Sequence, residues 1–311
     1  MKIAVIGTGG VGGYFGGRMA LAGFEVTFIS RGEHLKAMQQ NGLRVNSING
    51  DFHIQTVHAT DDIRAVKDAG LVILGVKAWQ VAETGRFLRD IIRPDAAVLP
   101  LQNGILATEE LMTVLEPNQV LSGLCRIFSK IESPGVIAHL GVEPTIIFGE
   151  PDNHTRERTR QILNSFEKSG IRAFIATDIR AELWKKFINI CVSGLLAITR
   201  STYGELRELR ETREMMVELI GEIFTLSQHL NIQIDHDFVA KTVAFIDTFP
   251  PGSTSSLTRD VWEGKPSEIE YQNGTVVKLA AKLGVDVPVN RFVYHCILPM
   301  EQRARKVHHI R

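Results

Sequence analysis

Cysteine is scarce in this chain: Cys125, Cys191 and Cys296 are an odd three among 311 residues, with no CxxC spacing. That excludes a disulfide framework and predicts buried, reduced thiols in a cytoplasmic protein. An excess of charge of either sign is also missing, since 35 basic residues face 35 acidic ones. Nucleic acid and anionic membrane are therefore disfavoured as main partners. No apolar run approaches a membrane span, and strand pattern begins at residue 2, which leaves no room for a signal peptide. No cluster of His, Cys and carboxylate has metal-ligand spacing, and His308 and His309 read as surface residues, so no metal is expected. Repeats and low-complexity stretches are absent as well.

What the chain has is glycine at decisive places. Lys2-Ile3-Ala4-Val5-Ile6 reads as a buried parallel strand and runs directly into Gly7-Thr8-Gly9-Gly10-Val11-Gly12. Glycines let the backbone turn sharply and approach a pyrophosphate, whose charge sits at the N-terminus of the following helix, here expected over residues 14–21. Gly13, Gly16 and Gly17 keep that helix slim for close packing. A second apolar strand follows at residues 25–29. This context separates a Rossmann dinucleotide site from a glycine-rich turn that binds nothing. At the end of the second strand an acidic residue would bind a ribose 2′-hydroxyl and repel a 2′-phosphate. Ser30 and Arg31 stand there instead, and a guanidinium can grip a phosphate through paired, charge-assisted hydrogen bonds. NADPH is favoured over NADH, although Glu33 nearby keeps NADH open and Arg31 could be a solvated loop charge.

Length and a 44% hydrophobic content suit two domains with substantial cores. Strand and helix patterns alternate through about the first 175 residues. Strands are expected at 71–77, 97–101, 120–125, 136–139, 145–148 and 172–176, and helices at 78–91 and 155–169. Such alternation predicts an open parallel sheet covered on both faces, with ligands at the carboxyl ends of its strands. Beyond Asp178 the apolar spacing becomes helical over 179–198, 211–230, 235–248 and 267–283, interrupted by a Pro- and Gly-bearing loop at 249–256. The expected fold is α/β: an N-terminal Rossmann-type doubly wound sheet over residues 1–177, followed by an all-helical C-terminal domain over 178–311. Its helices could bury a homodimer interface; their apolar stripes, Met215 to Phe224 among them, do not distinguish packing within a chain from packing between chains.

A reductase using a nicotinamide cofactor must orient a carbonyl and stabilise the alkoxide that develops on it. In the first helix of the second half, Lys185 and Lys186 lie within an otherwise apolar stretch from Trp184 to Val192. Burial lowers a lysine pKa and suits it to proton donation, whereas a lysine at the helix edge would simply snorkel to water. Downstream, Ser267 and Glu270 have capping-box spacing, which would put Glu268 in the first turn of a helix. Ser255 and Ser256 could bind a carboxylate or merely start a helix.

Taken in order, the glycine loop, Val76-Lys77-Ala78-Trp79-Gln80-Val81, Gln102-Asn103-Gly104, the segment from Trp184 to Asn189, and Ser256 with Glu268 resemble the ketopantoate reductase family, also called 2-dehydropantoate 2-reductases. Pro134-Gly135, Phe148-Gly149-Glu150 and Gly204-Glu205-Leu206 extend the resemblance over nearly the whole chain. The resemblance implies an NADPH-dependent enzyme whose catalytic lysine lies two residues after a tryptophan, here Lys186. It would hydrogen-bond the ketone oxygen and deliver the proton as hydride arrives. Glu268 would meet a substrate hydroxyl and lie close to the cofactor, and Ser256 the substrate carboxylate. Asn103 and Lys77 would contact the cofactor, as would Gly7, Thr8, Gly9, Gly10, Val11, Gly12, Ser30 and Arg31. Many members carry asparagines four and eight residues after the catalytic lysine. Counted from Lys186 those positions are Ile190 and Gly194; counted from Lys185 they are Asn189 and Ser193. The second register would make Asn189 a substrate contact.

The activity so implied is reduction of 2-dehydropantoate to (R)-pantoate by NADPH in pantothenate and coenzyme A biosynthesis. One rival is a reductase of another 2-oxoacid on the same fold; another is a protein that senses NADPH without catalysis. The glycine-serine substrate motifs usual in 6-phosphogluconate-type and 3-hydroxyacid dehydrogenases are not evident.

Overall fold

Alternate residues of the first strand serve two different cores. In the computed structural model, which describes residues 1–309 and side chains through residue 307, β1 (Ile3–Ile6) is buried along its whole length. Successive strand side chains point to opposite faces. Ile3 and Val5 accordingly pack with Phe15, Phe28 and Leu43, while Ala4 and Ile6 pack with Leu88 and Val98. Each buried Ile, Val or Leu among them contributes roughly 2 kcal/mol by leaving water.

The chain continues through α1 (Gly10–Leu21), β2 (Val26–Ile29), α2 (Gly32–Asn41), β3 (Leu43–Ser47), β4 (Phe52–Ile54), β5 (His58–Thr60), β6 (Leu71–Leu74), α3 (Val81–Arg89), β7 (Ala97–Pro100) and α4 (Ala107–Met112). Five of these strands form a parallel sheet of order β5-β2-β1-β6-β7. Tyr14, Phe15 and Met19 of α1 cover one face, and Val81 and Leu88 of α3 cover the other. This is the doubly wound, Rossmann-like arrangement.

The remaining strands form a second, mixed sheet of order β10-β9-β3-β4, with β8 paired to β9. Three short strands were expected between residues 120 and 148; the structure has two long antiparallel ones, β8 (Ser122–Ser133) and β9 (Val136–Gly149). Only the first four residues of β8 are buried, so its outer half lacks the apolar run that marks a core strand. After α5 (Glu157–Lys168), β10 (Arg172–Ile175) completes this sheet.

The rest of the chain is helical: α6 (Ile179–Ile190), α7 (Val192–Thr199), α8 (Tyr203–Glu208), α9 (Arg210–His229), α10 (Phe238–Asp247), α11 (Ser256–Trp262), α12 (Asn273–Leu283) and α13 (Pro288–His309). Contacts group Met1–Gln102 and Leu106–Arg180 into one unit, and Asn103–Ile105 with Ala181–Arg311 into another. Four expectations need correction. The helix foreseen over 179–198 is broken at Cys191, whose carbonyl oxygen accepts from the side chain of Asn273. The capping box at Ser267 does not form, because Ser267 donates through its N–H and its hydroxyl to Glu301 at 2.9 and 2.6 Å. The helix after it starts only at Asn273, behind a short 3-10 turn at Ile269–Tyr271. Cys125 and Cys191 are buried, but Cys296, on α13, is exposed. The reading of His308 and His309 falls outside the described side chains.

α13 itself was not foreseen. Pro288 fits its first position, and the Glu222 carboxylate accepts from the N–H groups of Val289 and Asn290 at 2.8 and 2.9 Å. Among the described residues no helix is long and apolar enough to cross a membrane.

Candidate active site

Three glycines of the first loop have three separable jobs. Gly7 has φ +88°, and a Cβ there would lie 2.6 Å from the Val76 nitrogen. Gly12 is forced by packing, since its Cβ would lie 2.1 Å from the Gly7 carbonyl oxygen. Gly9 has an ordinary φ of −70° and caps α1 without a side-chain bond. A Cβ on Gly9 would meet nothing within 4 Å. Nothing in the protein demands that glycine, so the open space at the helix N-terminus is what it preserves. The hydroxyl of Thr8, a residue only 3% exposed, has no hydrogen-bond partner. An open cradle of backbone N–H groups beside an orphaned hydroxyl fits the pyrophosphate of a dinucleotide.

The other candidates of the first unit lie at the carboxyl ends of neighbouring strands. Ser30 follows β2, is buried, and donates its N–H to the Thr60 carbonyl at 3.0 Å. Arg31 is exposed at the N-cap of α2. Lys77 follows β6 and is half-buried; its N–H donates to Gln80 at 3.2 Å and its ammonium lies 5.9 Å from the centre of the Trp79 ring.

Three residues near this loop escaped the sequence reading. The Ser129 hydroxyl on β8 is buried without a hydrogen-bond partner and lies 2.8 Å from where a Cβ of Gly10 would be. Gln102 donates to the carbonyls of Leu74 and Val76 at 2.9 and 3.0 Å, and its own carbonyl oxygen is unpartnered. His34 accepts the Gly135 N–H on Nδ1 at 3.0 Å, so the neutral ring carries its proton on Nε2. Burial pushes the His34 pKa below its ordinary value, against a smaller upward pull from the Thr8 backbone. Only Gln102 had a local signal, as part of the Gln-Asn-Gly run.

In the second unit, α6 presents two unlike faces. Ala181, Trp184, Phe187, Ile188 and Cys191 are buried in the helical core. Glu182, Lys185, Lys186 and Asn189, at i, i+3, i+4 and i+7, share the opposite, half-buried face. The Lys185 ammonium donates to Glu182 at 2.7 Å.

Ser255 caps α11 by accepting the Thr258 N–H at 3.0 Å, and Ser256 is the exposed first residue of that helix. Glu268, 7% exposed, stands just before the 3-10 turn. Gly104, at φ +98°, lies against that turn, since a Cβ there would be 2.7 Å from the Tyr271 carbonyl oxygen. Asn103, half-buried, is thereby carried alongside the Glu268 segment. Two further bonds gather these pieces onto α7: Thr258 donates to the Ser193 carbonyl at 3.0 Å and Trp262 to the Ala197 carbonyl at 3.1 Å. Among the described residues no cluster of His, Cys and carboxylate could hold a metal ion.

A parallel sheet with an open glycine cradle, followed by a helical unit with a lysine-bearing polar face, defines a class of dinucleotide-dependent oxidoreductases. The family models agree in both halves: ketopantoate reductase PanE/ApbA matches residues 3–153, and its C-terminal domain matches residues 178–301. The chain belongs to the ketopantoate reductase PanE/ApbA family. It is 28% identical over 309 residues to a 2-dehydropantoate 2-reductase of a Nostoc species, covering 98% of this chain and 96% of the relative. A solved PanE/ApbA family ketopantoate reductase from Ralstonia eutropha superposes with a TM-score of 0.90 at 29% identity, over 98% of this chain and all of the other. A D-mandelate dehydrogenase solved with NADH and anilino(oxo)acetate shares the fold, with a TM-score of 0.88 at 21% identity, again over 98% of this chain and 100% of that one. The family match over both halves makes the chain an oxidoreductase.

Proposed function

We propose that this protein reduces 2-dehydropantoate to (R)-pantoate with NADPH, in a cytoplasmic route to pantothenate and coenzyme A. The observation that carries the reading is the open space at Gly9 beside the orphaned Thr8 hydroxyl, in a chain matched by this family across both domains. Arg31, exposed where a 2′-phosphate would lie, supports NADPH.

A bound nicotinamide supplies hydride. Lys186 holds the ketone oxygen and delivers the proton that turns the developing alkoxide into a hydroxyl. Ser256 grips the substrate carboxylate, Glu268 and Asn189 contact the rest of the substrate, and Asn103 and Lys77 order the cofactor end.

One observation favours a second reading. No side chain fits at position 194, where many relatives have asparagine, because a Cβ would lie 2.5 Å from the side-chain Oδ1 of Asn273 and 2.6 Å from Val293. With Ile190 at the other such position, the site suits a 2-oxoacid with a more apolar substituent. Initial rates with NADPH and NADH against a panel of branched, hydroxylated and aromatic 2-oxoacids separate the two. The first reading expects the highest kcat/KM for 2-dehydropantoate with NADPH. Tight NADPH binding with no turnover of any member would leave a sensing protein in its place.

A further inference from the structure

The break between α6 and α7 is held from two sides by side chains that are themselves wholly buried. Asn273 donates to the Cys191 backbone carbonyl at 3.1 Å and to the side-chain Oδ1 of Asn290 at 3.0 Å. Asn290 in turn donates to the Leu219 carbonyl and to Glu222, at 3.1 and 2.7 Å. From the other side Thr258 donates to the Ser193 carbonyl at 3.0 Å, while its own N–H is held by Ser255. Asn273 and Thr258 are both 0% exposed. Helices break sharply where side chains insert into the backbone ladder, and a buried donor keeps its partner because nothing else can satisfy it. Gly194 belongs to the same device, since only glycine lets α7 pass Asn273 so closely.

These two side chains come from the segments that carry the other candidate contacts. Thr258 lies two residues beyond Ser256, and Asn273 follows Glu268 across one tight turn. Lys186 lies on α6, just ahead of the break. We propose that Thr258 and Asn273 are positioning residues, which fix the α6–α7 joint and thereby hold Lys186 in register with Ser256 and Glu268 for reduction of the 2-oxoacid. This rests on the reaction assigned above. Catalytic geometry is steep enough that a displacement of about 1 Å costs on the order of a hundredfold in rate.

Thr258→Val removes the hydroxyl at nearly constant shape, and Thr258→Ser keeps it. With Val we expect kcat to fall and KM for the 2-oxoacid to rise, for a combined loss in kcat/KM of roughly ten- to hundredfold, while the Kd for NADPH stays that of the wild type. Ser should restore both parameters to within about threefold, a change worth only ~0.7 kcal/mol. A merely structural role would lower the melting temperature and the active fraction but leave KM alone, and that result overturns the proposal. If the Val protein does not fold, Thr258→Ala is read by the same split. A wild-type protein inactive on every 2-oxoacid removes the reaction and this inference together. An active wild type with an unaffected Val variant removes this inference alone.

Discussion

In the first unit the candidate site is built chiefly on backbone, and in the second it is made of side chains. The glycine loop presents N–H groups at the end of α1, and its shape follows from a positive φ at Gly7 and a contact too close for any Cβ at Gly12. The helical unit places Lys186, Ser256 and Glu268 on three separate segments, gathered by Thr258, Trp262 and Asn273 through bonds spanning 65 to 82 residues of sequence. A backbone site can be written in a few consecutive residues. A side-chain site needs the tertiary fold before it exists.

The comparison breaks most visibly if the chemistry does not depend on one side chain. Lys186→Ala should lose about a hundred- to thousandfold in kcat, roughly 3–4 kcal/mol of barrier, with NADPH binding unchanged; Lys185→Ala should keep most of its rate. Next in size is a pair within the loop. Gly12→Ala forces a Cβ into the Gly7 carbonyl and should cost about 3 kcal/mol of stability in denaturant titration. Gly9→Ala has room and should leave stability unchanged while weakening NADPH, as fluorescence titration would read. Equal destabilisation by the two would mean that Gly9 serves the fold and not a ligand.

Arg31→Ala should weaken NADPH by roughly ten- to hundredfold, the worth of a charge-assisted bond, and leave NADH nearly untouched. The smallest effect concerns His34. Its imidazole titrates below the ordinary 6.5 in the folded chain, so the unfolded chain binds more protons between the two values. The stability it contributes is present above about pH 6.5 and is lost as pH falls through the folded value. Melting temperature should therefore fall from pH 7 to about pH 5, and His34→Leu should flatten that slope. An unchanged slope would put the acid sensitivity elsewhere.

The same contrast explains what could be read in advance. The glycine loop and the strands β1, β2, β6 and β7 of the parallel sheet are legible because apolar runs and glycine spacing are local signals; β5, only three residues long, is not. The break at Cys191 is not, since residues 179–198 keep helical spacing and the partners that open the break lie far along the chain. Ser267 has the right spacing for a capping box, but Glu301, 34 residues on, captures it. The polar face of Glu182, Lys185, Lys186 and Asn189 follows from helical period alone. Its relation to Ser256 and Glu268 does not. Ser129 and His34 had no signal at all, because what marks them is an unpartnered atom in a folded interior.

The most direct test follows the hydrogen itself. The purified protein is incubated with NADPH deuterated at both C4 positions and with 2-dehydropantoate, and the product is analysed by mass spectrometry. One deuterium should appear on C2 of the hydroxy acid, at a rate that collapses in Lys186→Ala. Saturable NADPH binding without transfer of the label to that or any other 2-oxoacid would contradict the account.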